Sequence, residues 1–203
     1  MKLGSIKFKK IAAFIASGFL FFSLFFPYLF IIFTSPQYPD RSPKMFLYTY
    51  GIKGDVQEWK VVGRYIGINV EPNLPELDLK IIAIIVVILG MFTFISAFRS
   101  GKWKKIVSIS LIVTGISLAL WAQYRLYQAG HNLDPKAPLR NVAKPFTPPL
   151  IGMTKISKIK IYHLPHLGSI LFVTSTILTF YASSGQWIFS FKRKTVKNAR
   201  NRS

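Results

Sequence analysis

Apolar and polar positions separate along this chain into four long uncharged runs and the polar segments between them. The runs are residues 11–33, 81–98, 106–124 and 167–189, of 23, 18, 19 and 23 residues. A membrane-crossing helix needs about 20 residues at about 1.5 Å of rise each. All four runs are therefore predicted as spans. The first contains fifteen Ile, Leu or Phe. At roughly −0.3 to −0.6 kcal/mol each near the bilayer centre, these outweigh Pro27 and two serines. Pro27 is expected to kink that helix. The fourth run is the most polar, and its Thr174, Ser175, Thr176, Thr179, Ser183 and Ser184 suit contact between helices. The first run is too long for the apolar core of a signal peptide, and no small-x-small cleavage site closes it.

Eleven of the twelve prolines fall in the two long segments between spans, 34–80 and 125–166. Stiffened in this way, the two loops are expected to form one ordered cap. Residues 45–50 (Met-Phe-Leu-Tyr-Thr-Tyr) have the aromatic content of a short strand. Asp55 with Glu58 three later reads as a capping box, and Val56, Trp59, Val62 and Ile66 follow at helical spacing, with Gly67 as the stop. Residues 71–76 read as turns, and 145–152 as partly polyproline-like. Residues 158–162 alternate Lys with apolar residues, which predicts a second strand able to pair with the first.

Composition narrows the function classes. Only 17% of residues are charged and 51% are hydrophobic, a poor surface for a soluble globule. The chain has no cysteine, which excludes disulfides, thiolate metal sites and cysteine nucleophiles. The net charge of +20 would suit nucleic acid, but its distribution argues otherwise. Residues 1–10, 99–105 and 190–203 hold 14 Lys and Arg and no acid. Segments 34–80 and 125–166 hold 13 basic residues and all seven acids. The positive-inside rule then places both termini and the 99–105 connection in the cytoplasm, and the two long loops outside. The basic clusters serve orientation and contact with anionic lipid heads, not nucleic acid.

Candidate chemistry is sparse. All three histidines, His131, His163 and His166, lie in the second outer loop, and Met45 and Met153 also face outward. Imidazole with thioether suits copper, so these histidines are the candidate metal ligands. Against that, Pro165 prevents a regular helix across His163-Leu-Pro-His166, so the two rings need not share a face. Asp134-Pro135 reads as an Asx-type turn, or as an ion pair with Arg125 or Arg140. Arg125 reads as an interface anchor. Trp59, Trp121 and Trp187 are placed as interface belts. No span carries an ionisable side chain, which disfavours proton pumping and many coupled transport mechanisms. There is no phosphate-binding loop, nucleophile elbow, zinc-protease motif or haem-attachment motif. No catalytic residue is expected.

Several loop strings carry a resemblance. They are Ser35-Pro-Gln-Tyr-Pro-Asp40, Gly54-Asp-Val-Gln-Glu58 leading to Tyr65-Ile-Gly67, and Gly130-His-Asn-Leu-Asp-Pro-Lys-Ala-Pro138 followed by Pro145-Phe-Thr-Pro-Pro-Leu-Ile-Gly152. Together with the spans, they resemble the NosB-like family of small multi-span membrane proteins, associated with atypical (clade II) nitrous oxide reductase gene clusters. The resemblance implies a setting among copper-delivery and enzyme-maturation proteins. The chain departs from the family pattern where Gly63-Arg64 stand before Tyr65 in place of Asn-His, and where Ile68 stands in place of Met. A copper site at those family positions would be missing here.

The expectation is thus an all-α membrane protein: one four-transmembrane-helix bundle over residues 1–203 with a small ordered α/β extracytoplasmic cap and a cytoplasmic tail at 190–203. It is expected in the cytoplasmic membrane as a non-enzymatic accessory protein. Its partners would be the bilayer and other membrane or extracytoplasmic proteins, docked through Tyr38, Trp59, Tyr65, Asp134 and Phe146. By resemblance it would serve maturation of, or electron delivery to, a copper enzyme. The alternatives are a structural subunit of a larger membrane enzyme complex and a small-solute or metal transporter.

Overall fold

The computed structural model describes residues 2–36, 38–68, 76–99, 102–138 and 145–200, with side chains described for all of these except 2–7, 76–78 and 184–200. In chain order the elements are α1 (Lys2–Ser23), β1 (Leu29–Thr34), β2 (Lys44–Tyr48), β3 (Gly51–Gly54), α2 (Val56–Ile66), α3 (Glu76–Phe98), α4 (Lys102–His131), β4 (Gly152–Ile156), β5 (Ile159–Pro165) and α5 (Leu167–Arg200). The all-α four-span bundle is therefore corrected. Among the described residues, five helices accompany a five-stranded antiparallel sheet, and two of those helices are long and apolar enough to cross a membrane, Leu79–Phe98 and Lys102–His131.

The first predicted span fails for a local reason. α1 stops at Ser23, and the chain turns through residues 24–28 around Pro27, which has no N–H to continue a helix. What remains of the apolar run in α1, residues 11–23, is too short to cross the hydrocarbon. The other part, Leu-Phe-Ile-Ile-Phe-Thr, is rich in aromatic and β-branched residues and becomes strand β1. The fourth predicted span falls within α5, which continues as a helix to Arg200, and its described apolar stretch is Leu167–Ser183. The rest of that run, the tail at 190–203, Trp187 and the 71–75 turns lie outside the residues or side chains described.

β1 is the middle of the sheet, whose order is β3-β2-β1-β5-β4. Phe30 stands opposite Phe46 on β2 and Leu164 on β5. The two predicted strands do exist as β2 and β5, but each pairs with β1 and not with the other. β3 and β4, the edges, were not predicted.

The chain groups into two compact units. One comprises Met1–Phe22, Val86–Thr114 and Leu171–Ser203 and is helical. Its contacts use small residues: Ala12, Ala13, Ala97 and Ala182 form a buried cluster. Ser17 donates to the Gly90 carbonyl at 3.1 Å, and Ser175 donates to the Ala16 carbonyl at 2.7 Å. Small and hydroxylic contacts of this kind let helix backbones approach closely.

The other unit comprises Ser23–Ile85 and Gly115–Ile170 and holds the sheet. Alternation along the strands puts Phe33, Ile156, Ile159 and Ile161 on one face, where α2 covers them with Val62 and Ile66. α2 forms as the spacing predicts, and Gly67 closes it in the left-handed region at φ 93°. The capping box does not form. Asp55 has no side-chain bond to the first helical turn. Its carboxylate instead accepts from the Lys44 amide at 2.9 Å and from Arg41 at 2.8 Å, pinning the start of β2.

Candidate functional site

The three histidines are not brought together. His163 on β5 is in register with Ile31 of β1 and Gly152 of β4, on the face covered by α2, and is 3% exposed. Its Nδ1 has no hydrogen-bond partner. Burial lowers its pKa from the ordinary 6.5, so the ring is held neutral. His166 turns the other way. Its ring sits edge-on to Phe30 at 6.0 Å and to Phe46 at 5.7 Å, and both belong to the opposite face. An extended chain sends residues three apart to opposite sides, so the pair cannot share an ion. His131 ends α4, stacked on Tyr127 at 3.9 Å, with Nδ1 3.0 Å from the Tyr127 carbonyl. Met45 is buried in the row of His163, with Ile31 between them. Among the described residues there is no group of three or more His, Cys, Asp or Glu able to hold a metal.

The predicted docking residues divide. Tyr38 and Trp59 pack on Phe33, with ring centroids at 5.7 and 5.6 Å, and Phe146 lies against the same core. These three aromatics hold the unit together. Tyr65 on α2 is exposed. Asp134 makes the predicted Asx turn, its carboxylate accepting from the Lys136 amide at 2.8 Å. Its own amide donates to the Gly67 carbonyl at 2.7 Å, so the segment after α4 is strapped to the end of α2. Ile68 bridges Leu133 beside this contact, and Arg64, Asn132 and Pro135 help to line a shallow depression there. Arg140 lies outside the described residues.

Sequence reasoning missed the second face of the sheet. The register places Phe30, Ile32 and Thr34 of β1, Lys44 and Phe46 of β2, Met153 and Lys155 of β4, and Lys160, Tyr162 and Leu164 of β5 on the side away from α2. Lys44, Lys155, Lys160, Met153 and Leu164 are exposed, and the aromatic rings between them are half-buried. Lys53 on β3 extends this face, its ammonium 5.4 Å and 5.0 Å from the rings of Tyr48 and Tyr50. No strand residue on this face is acidic. The alternation at 158–162 was a visible trace of it. The β1 part was hidden inside an apolar run.

No known protein family, curated protein or solved structure matches the chain. Its function is read from its surfaces.

The long helices supply the second surface. In their most apolar windows only 33% of α3 and 17% of α4 is buried inside the protein. Ile84, Ile88, Met91 and Phe94 of α3, and Ile106, Val113, Ile116 and Leu120 of α4, are exposed. Aromatic–cation pairs bracket α4. Arg99 lies 5.9 Å from the Trp103 ring centroid, and Arg125 lies 5.5 Å from that of Trp121. A helix from residue 103 to residue 121 rises about 27 Å, close to the hydrocarbon thickness of a bilayer. Indole and guanidinium at such a spacing suit the two membrane–water interfaces.

Proposed function

We propose that the protein is a non-enzymatic accessory protein of the cytoplasmic membrane, anchored by α3 and α4, whose sheet-bearing unit docks a partner outside the cytoplasm. The observation that carries this reading is the exposed apolar surface of α3 and α4. A helix in the core of a soluble protein would bury that surface, whereas lipid solvates it at no cost. Their connection, 99–105, carries four basic residues and no acid, which fits the cytoplasmic side, and the acid-bearing segments then lie opposite. The resemblance noted above makes the partner a component of copper-enzyme maturation or electron delivery, as around a nitrous oxide reductase.

The absence of native cysteine makes the test direct. Single Ser42→Cys and Arg99→Cys variants are labelled in cells with an impermeant maleimide. Ser42→Cys is expected to label in intact cells, and Arg99→Cys only after permeabilisation. The reverse pattern overturns the orientation, and recovery of the protein in the soluble fraction overturns the membrane reading. Deletion is expected to leave the partner copper enzyme under-metallated or inactive in its host. A fully active, fully metallated enzyme would remove the accessory role.

A further inference from the structure

The uncovered sheet face carries an arrangement that the fold alone does not favour. Lys155 and Lys160 are register partners on β4 and β5, side by side on the same face. Like charges directly opposite each other in a sheet are destabilising. Lys44 on β2 stands one row away on the same face, and all three side chains are exposed. The Asp55 carboxylate at the margin is already engaged by Arg41 and the Lys44 amide. Beside the lysines run the half-buried rings of Phe30, Phe46 and Tyr162, rigid surface that loses little entropy on contact.

We propose that this face is the docking surface of the sheet-bearing unit, and that it receives a carboxylate-rich patch of a protein partner. The proposal rests on the docking function argued above and gives its partner a chemistry. Carboxylates placed between Lys155 and Lys160 relieve their repulsion, and the aromatic strip beside them supplies apolar contact. The fixed register of the lysine pair beside fixed aromatic rings suits the set carboxylate spacing of a folded protein over mobile lipid heads. Lys44, Lys155 and Lys160 gather toward the Thr34 end of β1. The rings of Phe30, Phe46 and His166 occupy the Leu29 end.

The experiment uses the full chain in the membranes of its host, with the photo-crosslinker p-benzoylphenylalanine at Met153, 49% exposed on this face, or at Val61, 61% exposed on α2. The expected result is a protein adduct from position 153 and none from position 61, the crosslinked partner peptide containing clustered Asp and Glu. Replacing Lys44, Lys155 and Lys160 together by Gln is expected to lower adduct yield about tenfold, three surface charge contacts being lost, while replacement by Arg preserves it. Lys160→Glu serves as the control for folding. It removes the like-charge pair and stabilises the sheet, yet it is expected to weaken the adduct. An adduct yield unchanged by Gln or by Lys160→Glu overturns the proposal. A lipid adduct at 153 overturns it in favour of anionic headgroups. A protein adduct only at 61 overturns the surface but leaves the docking function standing, and the lack of a protein adduct at either position overturns both.

Discussion

Phe30 and Phe46 stack with ring centroids 4.8 Å apart and planes 20° from parallel, directly opposite each other in the β1–β2 register. The His166 ring closes edge-on against both. This trio joins the central strand to its neighbour and to the first residue after β5. Stacked aromatic pairs contribute roughly 0.5–1.5 kcal/mol beyond the area they bury.

Phe30→Ala is expected to destabilise the protein by about 2 kcal/mol, because a half-buried ring and its stacking partner are lost at the centre of the sheet. Phe30→Leu restores most of the volume and should cost less. Denaturant unfolding followed by tryptophan fluorescence in detergent checks the order of the two.

Gly67→Ala tests the strap between α2 and the segment after α4. The position has φ 93°, and a Cβ there would stand 2.8 Å from the Ala137 Cβ. Both strain and collision oppose the change, with an expected loss of about 2 kcal/mol or more. Gly18→Ala in α1 meets nothing within 4 Å and should be neutral or slightly stabilising.

His163 makes stability depend on pH. Burial lowers its pKa in the folded chain below 6.5, so at acidic pH the unfolded chain binds more protons than the folded one. This contribution to stability is intact above pH 6.5 and declines as the pH falls from there toward the lowered folded value. His163→Leu removes both the titration and the unpartnered Nδ1. The variant is expected to be flatter than the parent from neutral pH downward in thermal unfolding, and no less stable at neutral pH.

Asp55→Ala removes two hydrogen bonds at the start of β2 and should cost about 1 kcal/mol. The loss should appear as faster hydrogen exchange at the Lys44 amide, with the first turn of α2 little changed. A change confined to α2 would restore the helix-capping role.

Ile88→Asp places a charge in the middle of the exposed apolar surface of α3. If lipid covers that surface, insertion is disfavoured by roughly 3 kcal/mol, and membrane integration assayed by a reporter fusion should fall sharply. On a water-exposed helix the same change would be harmless, so unaltered integration counts against the membrane reading.

Local signals sufficed wherever one element's own residues decide its state. α3 and α4 follow from unbroken apolar runs, and α2 follows from its 3.6-residue spacing with a glycine at the stop. The Asx turn at Asp134 likewise depends on neighbours two residues away. By itself the sequence determined these pieces and the uneven distribution of charge along the chain. β1 was different. Leu-Phe-Ile-Ile-Phe-Thr is apolar enough for a membrane helix and branched enough for a strand, and hydropathy cannot separate the two. Only pairing on both sides with β2 and β5, one near and one far along the chain, satisfies its backbone as the centre of a sheet. That pairing then decided the rest. It sent His163 and His166 to opposite faces, set Tyr38, Trp59 and Phe146 against the core, and left the locally paired Lys155 and Lys160 on an open face. Which side of a strand a residue occupies depends on register, and register is a property of partners distant in sequence.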